Sequence, residues 1–390
     1  MSAQYPDIYL AIDNVFASKR WTEPEEWMKI IKSFGVSCVE ASADNECDPL
    51  YMEEGYLADW VEEVKRQASG QVMKVVSIFS GHGTYATLGL AHNDKRVRDR
   101  IQFDWLYRMI DMAAALQAGM GFYCHAFSQK VLQDVTLYRQ RLDDLYQRLS
   151  ELVDHARQRR VDTIGVEQMY SPHQVPWTIR GSKELLKAVY RLSGSPVYIV
   201  IDTGHQSGQS AYLKPGTRKL ADYLDNARQN RRTDMIWLGP EANSELLAAC
   251  HDGEKTSLQE IQANIENHPH LFAESHDADL YAWLAALGCY APVIHLQQTD
   301  GCHSSHWPFT SDRNEKGIVR GDLLLNAIAR SYASASEAGL PPKCKTIYLT
   351  LEIFPPTSER PDNILRYMED SVKYWRAFVP EDGLSLQELI

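Results

Sequence analysis

The chain has 390 residues, 44% hydrophobic and 24% charged, a composition that excludes wholesale disorder. Its net charge of -12, from 40 Lys+Arg against 52 Asp+Glu, excludes a general nucleic-acid binder, which needs a basic surface to displace counterions. Seven cysteines with no CxxC argue against a disulfide framework or zinc ribbon and fit a reducing cytoplasm. Residues 1–13 lack a secretory pattern, and no apolar run approaches the roughly 20 residues that span a bilayer.

Apolar runs and helical periodicities alternate from the start. Residues 8–16 read as a strand, and 23–34 as a helix with Thr22 as N-cap and Pro24 in its first turn. Residues 38–41 form the second strand; Leu57, Trp60, Val61 and Val64 then fall at helical spacing. The β-branched run 75–79 is the third, closed by Ser80-Gly81-His82-Gly83. Val97, Ile101, Trp105, Met109, Ala113 and Leu116 mark the next helix, and the charged run 94–100 reads as its solvated start. A fourth strand spans 119–126, and an amphipathic helix runs from Leu142 to Ala156. Strand five is 163–166, followed by a helix through Leu185, Leu186, Val189 and Leu192. Strand six is 197–201, apolar and β-branched like a strand buried on both faces. Strands seven (292–296) and eight (346–353) flank a helix over 321–338, and 364–378 is the last helix.

Eight strand–helix units predict an α/β protein with a parallel sheet closed as a (β/α)8 TIM barrel. A bare barrel needs about 250 residues, so a surplus remains. It falls between Asp202 and His295 and predicts an enlarged loop with helices over 207–285, inside one domain covering 1–390. No GxGxxG, GxxxxGK[ST] or GxSxG occurs, which removes dinucleotide folds, P-loop ATPases and nucleophile-elbow hydrolases.

Four of the strands end in a polar residue: Glu167, Asp202, His295 and Glu352. In a parallel barrel all strand C-termini lie on one face, where active sites are built. Taken singly, each such residue is more often a cap, a loop anchor or a hydrogen-bonded structural residue than a ligand. Together, three carboxylates cannot cluster without a compensating cation, and an oxygen-rich set with one imidazole suits Mn²⁺ or Mg²⁺ and tolerates Co²⁺. Four protein ligands leave positions for substrate or water, as a catalytic metal requires. Histidines decorate the same ends: His82 after strand three, His125 after strand four, His205 in Asp-Thr-Gly-His, and His303 in the loop after His295. Lys19, Arg20, Lys214 and His303 are loop candidates for a substrate phosphate.

At Gly165-Val166-Glu167, Ile201-Asp202-Thr203-Gly204-His205, Val293-Ile294-His295-Leu296 and Leu351-Glu352-Ile353 the sequence resembles the xylose isomerase-like TIM-barrel superfamily. Within it, the sugar and sugar-phosphate isomerases and epimerases, including the ketose 3-epimerases, are the nearest in pattern. The stretches 167–170 and 202–209 look like a tetrulose-phosphate (erythrulose-phosphate) branch. The resemblance implies that Glu167, Asp202, His295 and Glu352 bind one divalent metal ion and that His205 contacts a substrate oxygen. It implies that Glu167 and Glu352 flank the reacting carbon. One would remove the C3 proton of a ketose or ketose phosphate, giving a cis-enediolate, and return of a proton on the opposite face gives the epimer. Return at the neighbouring carbon would make the enzyme an aldose–ketose isomerase. An abasic-site endonuclease would call for a basic face, and a sugar-binding barrel without catalysis would not need the four-residue set. The family often carries an Arg a few residues after its metal-binding His; here Gln297-Gln298-Thr299-Asp300-Gly301 follows, with no Arg before Arg313. The partner expected is thus a small sugar, with no nucleic acid and no membrane, and homo-oligomerisation left open.

Overall fold

Eight short strands, nearly all of whose residues are buried, form the centre of the molecule: β1 (Asp7–Asp13), β2 (Cys38–Ser42), β3 (Lys74–Ser80), β4 (Gly119–Phe122), β5 (Ile164–Glu167), β6 (Tyr198–Asp202), β7 (Val293–Leu296) and β8 (Thr346–Leu351). The computed structural model describes residues 5–81, 87–124, 126–229, 231, 235–251 and 258–390. The strands pair in parallel in sequence order, and β1 pairs with both β2 and β8, so the sheet closes on itself. Closure leaves no bare edge, and burial on both faces explains why the strands read as apolar runs. A two-residue strand, β9 (Leu384–Ser385), pairs antiparallel with the start of β1.

Each strand is followed by a helix that covers the barrel: α1 (Pro24–Ser33), α2 (Glu54–Gln71), α3 (Tyr107–Leu116), α4 (Val135–Arg159), α5 (Ile179–Ser193), α6 (Leu280–Leu287), α7 (Gly321–Ala333) and α8 (Pro361–Arg376). Several expected boundaries move for local reasons. β1 stops at Asp13, not residue 16, because Asp13 Oδ1 accepts the Val15 N–H at 2.7 Å and turns the chain into a 3-10 helix. The N-cap of α1 is Glu23 and not Thr22; Glu23 and Glu26 form a reciprocal capping box with Pro24 at the first helical position. The helix expected before strand four contains a π-helical turn, Ile101–Leu106. Its buried Gln102 donates to Glu151 and accepts from Arg148, both at 2.7 Å. The preceding charged run is not wholly solvated, since Arg98 is buried and pairs with Asp144 at 2.9 Å.

The connection from β6 to β7 carries further helices, Thr217–Arg228, Glu241–His251 and Leu258–Asn267, before α6. It docks beside the β4–α4 connection: His270 Nε2 donates to the Leu132 carbonyl at 2.8 Å, and the Glu241 N–H donates to Gln133. Among the described residues, no helix is long and apolar enough to cross a membrane.

The barrel interior is layered by the two-residue period of its strands. Tyr9, Ala11, Cys38, Val76 and Tyr348 pack together low in the barrel, and Phe79, Val200 and Val293 form the layer above. Two residues on from Ala11, Cys38, Val200 and Val293, on the same face, stand Asp13, Glu40, Asp202 and His295. A Cβ on Gly121 would lie 2.5 Å from Phe79 Cδ2, so glycine there makes room for the ring. Phe79 in turn stands edge-on to His295, with ring centroids 4.7 Å apart.

Candidate metal centre

Consecutive strands β5, β6, β7 and β8 deliver Glu167, Asp202, His295 and Glu352 to one buried group. One ligand atom from each lies within 4.8 Å of all the others. Asp202 and His295 are register partners on neighbouring strands. His295 Nδ1 is 3.0 Å from Glu167 Oε1 and 3.5 Å from Glu352 Oε2.

Hydrogen bonds hold the group from behind. Gln297 Nε2 donates to both Asp202 oxygens at 2.8 and 3.0 Å, and the Gly204 N–H donates to Asp202 Oδ1 at 2.6 Å. A Cβ on Gly204 would meet Gln297 Cδ at 2.6 Å, so the Asp-Thr-Gly-His turn needs its glycine for this approach. His205 Nδ1 donates to the Gln168 carbonyl at 2.6 Å, which leaves Nε2 3.7 Å from Asp202 Oδ1. The His205 ring packs on Tyr170 at 4.0 Å between centroids.

Electrostatics show what the group lacks. Burial first, then the charges of Asp202, Glu167 and Asp13, push the Glu352 carboxyl well above its ordinary value, although His295 opposes them. Burial would lower His295, but Glu352, Glu40 and hydrogen bonds to Glu167 and Glu40 outweigh it and raise the imidazole strongly. Burial would raise Asp202 too, yet His205, His306 and His295 hold it down to about 2. Buried carboxyls this close are under-compensated without a cation. Glu352 Oε2 is buried and makes no hydrogen bond among the described residues. An oxygen-rich donor set with one imidazole and an unbonded carboxylate oxygen fits a metal ion, which Glu167, Asp202, His295 and Glu352 would hold.

The other expected site residues fare differently. His205 joins the centre. His82 and His125 lie outside the described residues. His303 and Lys214 lie on the exposed surface, apart from the buried group. Arg20 is occupied by the carbonyls of Pro356, Thr357 and Glu359. Asp13 and Glu40, outside the expected set, converge here, as do Gln297 and His306 from the polar stretch after strand seven. Glu40 and Asp13 are buried register partners, in the middle of β2 and at the end of β1, and Glu40 Oε1 lies 2.8 Å from His295 Nε2. Burial and the neighbouring Glu40 drive the Asp13 carboxyl well up. Asp13 ends β1, so the strand-end rule marks it, whereas Glu40 lies two residues short of the end of β2. Gln297 and His306 come from the loop after β7, where no periodicity marks them. His306 is stacked on Phe354 at 4.0 Å with Nδ1 3.4 Å from Glu352 Oε2, and burial lowers it to about 4, so its ring is neutral.

A cavity of about 400 Å³ opens from Glu352 and Phe79 toward the ends of β1 and β2. Ser18, Asp44, Asn45, Asp48, Tyr51 and Phe354 line it, a set suited to hydroxyl groups beside an apolar wall.

Residues 28–237 match the family model described as xylose isomerase-like TIM barrel, and the chain belongs to that family. A 77-residue stretch is 32% identical to the D-erythrulose 1-phosphate 3-epimerase of Brucella abortus (strain 2308); the match covers 20% of this chain and about a quarter (25%) of that relative. A provisional xylose isomerase from Rhodospirillum rubrum superposes with a TM-score of 0.68 at 18% identity, covering 95% of this chain and 99% of that one. An L-ribulose 3-epimerase superposes with a TM-score of 0.55 at 14% identity, covering 96% and 93%. At such identities these structures share the fold.

Proposed function

We propose that the protein is a divalent-cation-dependent 3-epimerase of a ketose or ketose phosphate. The observation that carries this reading is the placement of the two glutamates. Glu167 and Glu352 stand at the two ends of a four-strand arc, with Asp202 and His295 between them. A ligand held in the arc meets a carboxyl group from each end. That arrangement serves removal of a proton from one face of a carbon and its return on the other. The names of the Brucella relative and of the L-ribulose enzyme, both 3-epimerases, support the same reading.

A bound Mn²⁺ or Mg²⁺ would supply electrophilic polarisation of the ketose carbonyl and so acidify the neighbouring C–H. The chain's own groups do the rest. One glutamate carboxylate takes the C3 proton, breaking that C–H bond and leaving an enediolate. The other delivers a proton to the opposite face, forming the new C–H bond with inverted configuration. Gln297 keeps Asp202 oriented throughout. His205 Nε2 and the His306 ring would bond substrate hydroxyls. The Ser18, Asn45 and Tyr51 side of the cavity takes the remainder of the chain of hydroxyls. Residues 1–390 act as one barrel domain, with 207–285 as an enlarged connection.

Turnover of ketoses and ketose phosphates in D₂O, followed by NMR, tests the proposal. Deuterium at C3 with inverted configuration is expected, as is loss of activity on chelation with recovery on Mn²⁺. A new aldose signal would make the enzyme an isomerase. Full activity after complete chelation, or in Glu167→Gln, refutes the mechanism.

A further inference from the structure

We infer that Glu40 is a positioning residue: it fixes the tautomer and orientation of His295 so that Nδ1 presents its lone pair to the metal centre. This rests on the metal reading given above. His295 has two ring nitrogens that face opposite ways. Nδ1 faces Glu167 and Glu352, and Nε2 faces Glu40 at 2.8 Å. A neutral imidazole carries one N–H, and a carboxylate can only accept. Glu40 therefore captures Nε2–H, and Nδ1 is left as the acceptor on the side of the four-residue group. A histidine ligand held this way by a carboxylate is oriented and made more basic. If Glu40 were absent, the proton could sit on Nδ1 and bond Glu167, the tautomer that cannot ligate from that side.

The fold is built to make this contact. Glu40 comes from β2 and His295 from β7, with β8 and β1 between them in the ring, so the pair reaches across the barrel interior. Both side chains are 0% exposed. The β2–β3 ladder shifts at this residue: Val39 pairs with Val75, but Glu40 pairs with Ser77. Such an irregularity re-aims the side chain at which it falls. Phe79 closes the His295 ring from the side. None of the four proposed metal-binding residues depends on Glu40 for its place in a strand.

The test is calorimetric titration of the metal-stripped full chain with Mn²⁺ alone, for wild type, Glu40→Gln and Glu40→Leu. Loss of such a partner costs about 10–100-fold in metal affinity. That loss is expected for E40L, with a smaller loss for E40Q, whose amide oxygen still accepts Nε2–H. NMR of ¹⁵N-histidine protein with Mg²⁺ should show His295 protonated at Nε2 in wild type and in E40Q, and not uniformly so in E40L. A merely structural role would not move the tautomer or give this order of affinities. His295 protonated at Nδ1 in the wild-type protein overturns the inference whether or not E40L folds, and so does wild-type affinity with uniform Nε2 protonation in folded E40L. Failure of wild type itself to bind Mn²⁺, Mg²⁺ or Co²⁺ overturns the metal reading beneath it.

Discussion

Glu352→Gln separates the cation's role from mere packing. Glu352 is buried, and its carboxyl is held well up by burial and by Asp202, Glu167 and Asp13. In the cation-free protein the neutral acid is thus favoured, and an amide is close to that form in shape and charge. Two carboxylates at the outer spacing of 4.8 Å would repel by about 3 kcal/mol at an effective dielectric near 20. Neither the protonated acid nor the amide suffers this, so cation-free E352Q should melt at or slightly above the wild-type temperature. With a cation the two diverge. A cation at a hundred times its dissociation constant stabilises the folded state by about 2.7 kcal/mol. For a 390-residue chain, whose unfolding entropy is large, that is a rise of about 3 °C. E352Q, deprived of one anionic ligand, should gain less than about 1 °C at the same Mn²⁺ concentration. Thermal unfolding by circular dichroism, with and without Mn²⁺ after chelation, reads both numbers. Equal cation-induced shifts in the two proteins, or destabilisation of the cation-free variant by several degrees, would refute the reasoning.

Glu46 gives a test of stability away from the proposed chemistry. Burial raises its carboxyl from 4.5 to about 7, against hydrogen bonds from Trp27 and Asn14. The folded state thus binds a proton that the unfolded state releases at lower pH. The resulting stabilisation is fully present below about 4.5 and is lost as pH rises through about 7, an amount of about 3 kcal/mol. Glu46→Gln should show a flatter urea-unfolding free energy over that window, and a pH dependence identical to wild type would count against the assignment. Gly121→Ala places a Cβ 2.5 Å from Phe79, the ring that packs on His295. It should cost about 1–3 kcal/mol in denaturant unfolding and weaken Mn²⁺ binding, and unchanged values for both would show that the ring has room to move.

The strand ends were readable because strand patterning is local. Each β-run announces itself in four to seven residues, and Glu167, Asp202, His295 and Glu352 each stand at or just after such a run. Asp13 obeys the same rule, and Glu40 stands level with it in mid-strand, with Ala11 and Cys38 two positions before them on the inward face. They were hidden because a carboxylate at or near one strand end, taken alone, is indistinguishable from a turn anchor, and Asp13 does also cap a turn. Gln297 and His306 were marked only as part of a polar, histidine-bearing stretch after strand seven. They lie on an irregular loop whose path is set by contacts with Asp202, Ser304 and Phe354.

Alternation of apolar runs and helical stripes was enough to establish eight strand–helix units and the order of the candidate ligands, because period and propensity act over a few residues. Closure depended on the pairing of Asp7–Ile12 with Thr346–Leu351, segments at opposite ends of the chain. That register is a long-range hydrogen-bonding outcome with no local trace. The same closure carries Glu40 across the interior to His295 and bends four strand ends into an arc around one point. The ligand types were thus written in the chain, while their convergence, their burial and the strong perturbation of Glu352 and His295 arose only when the barrel shut water out.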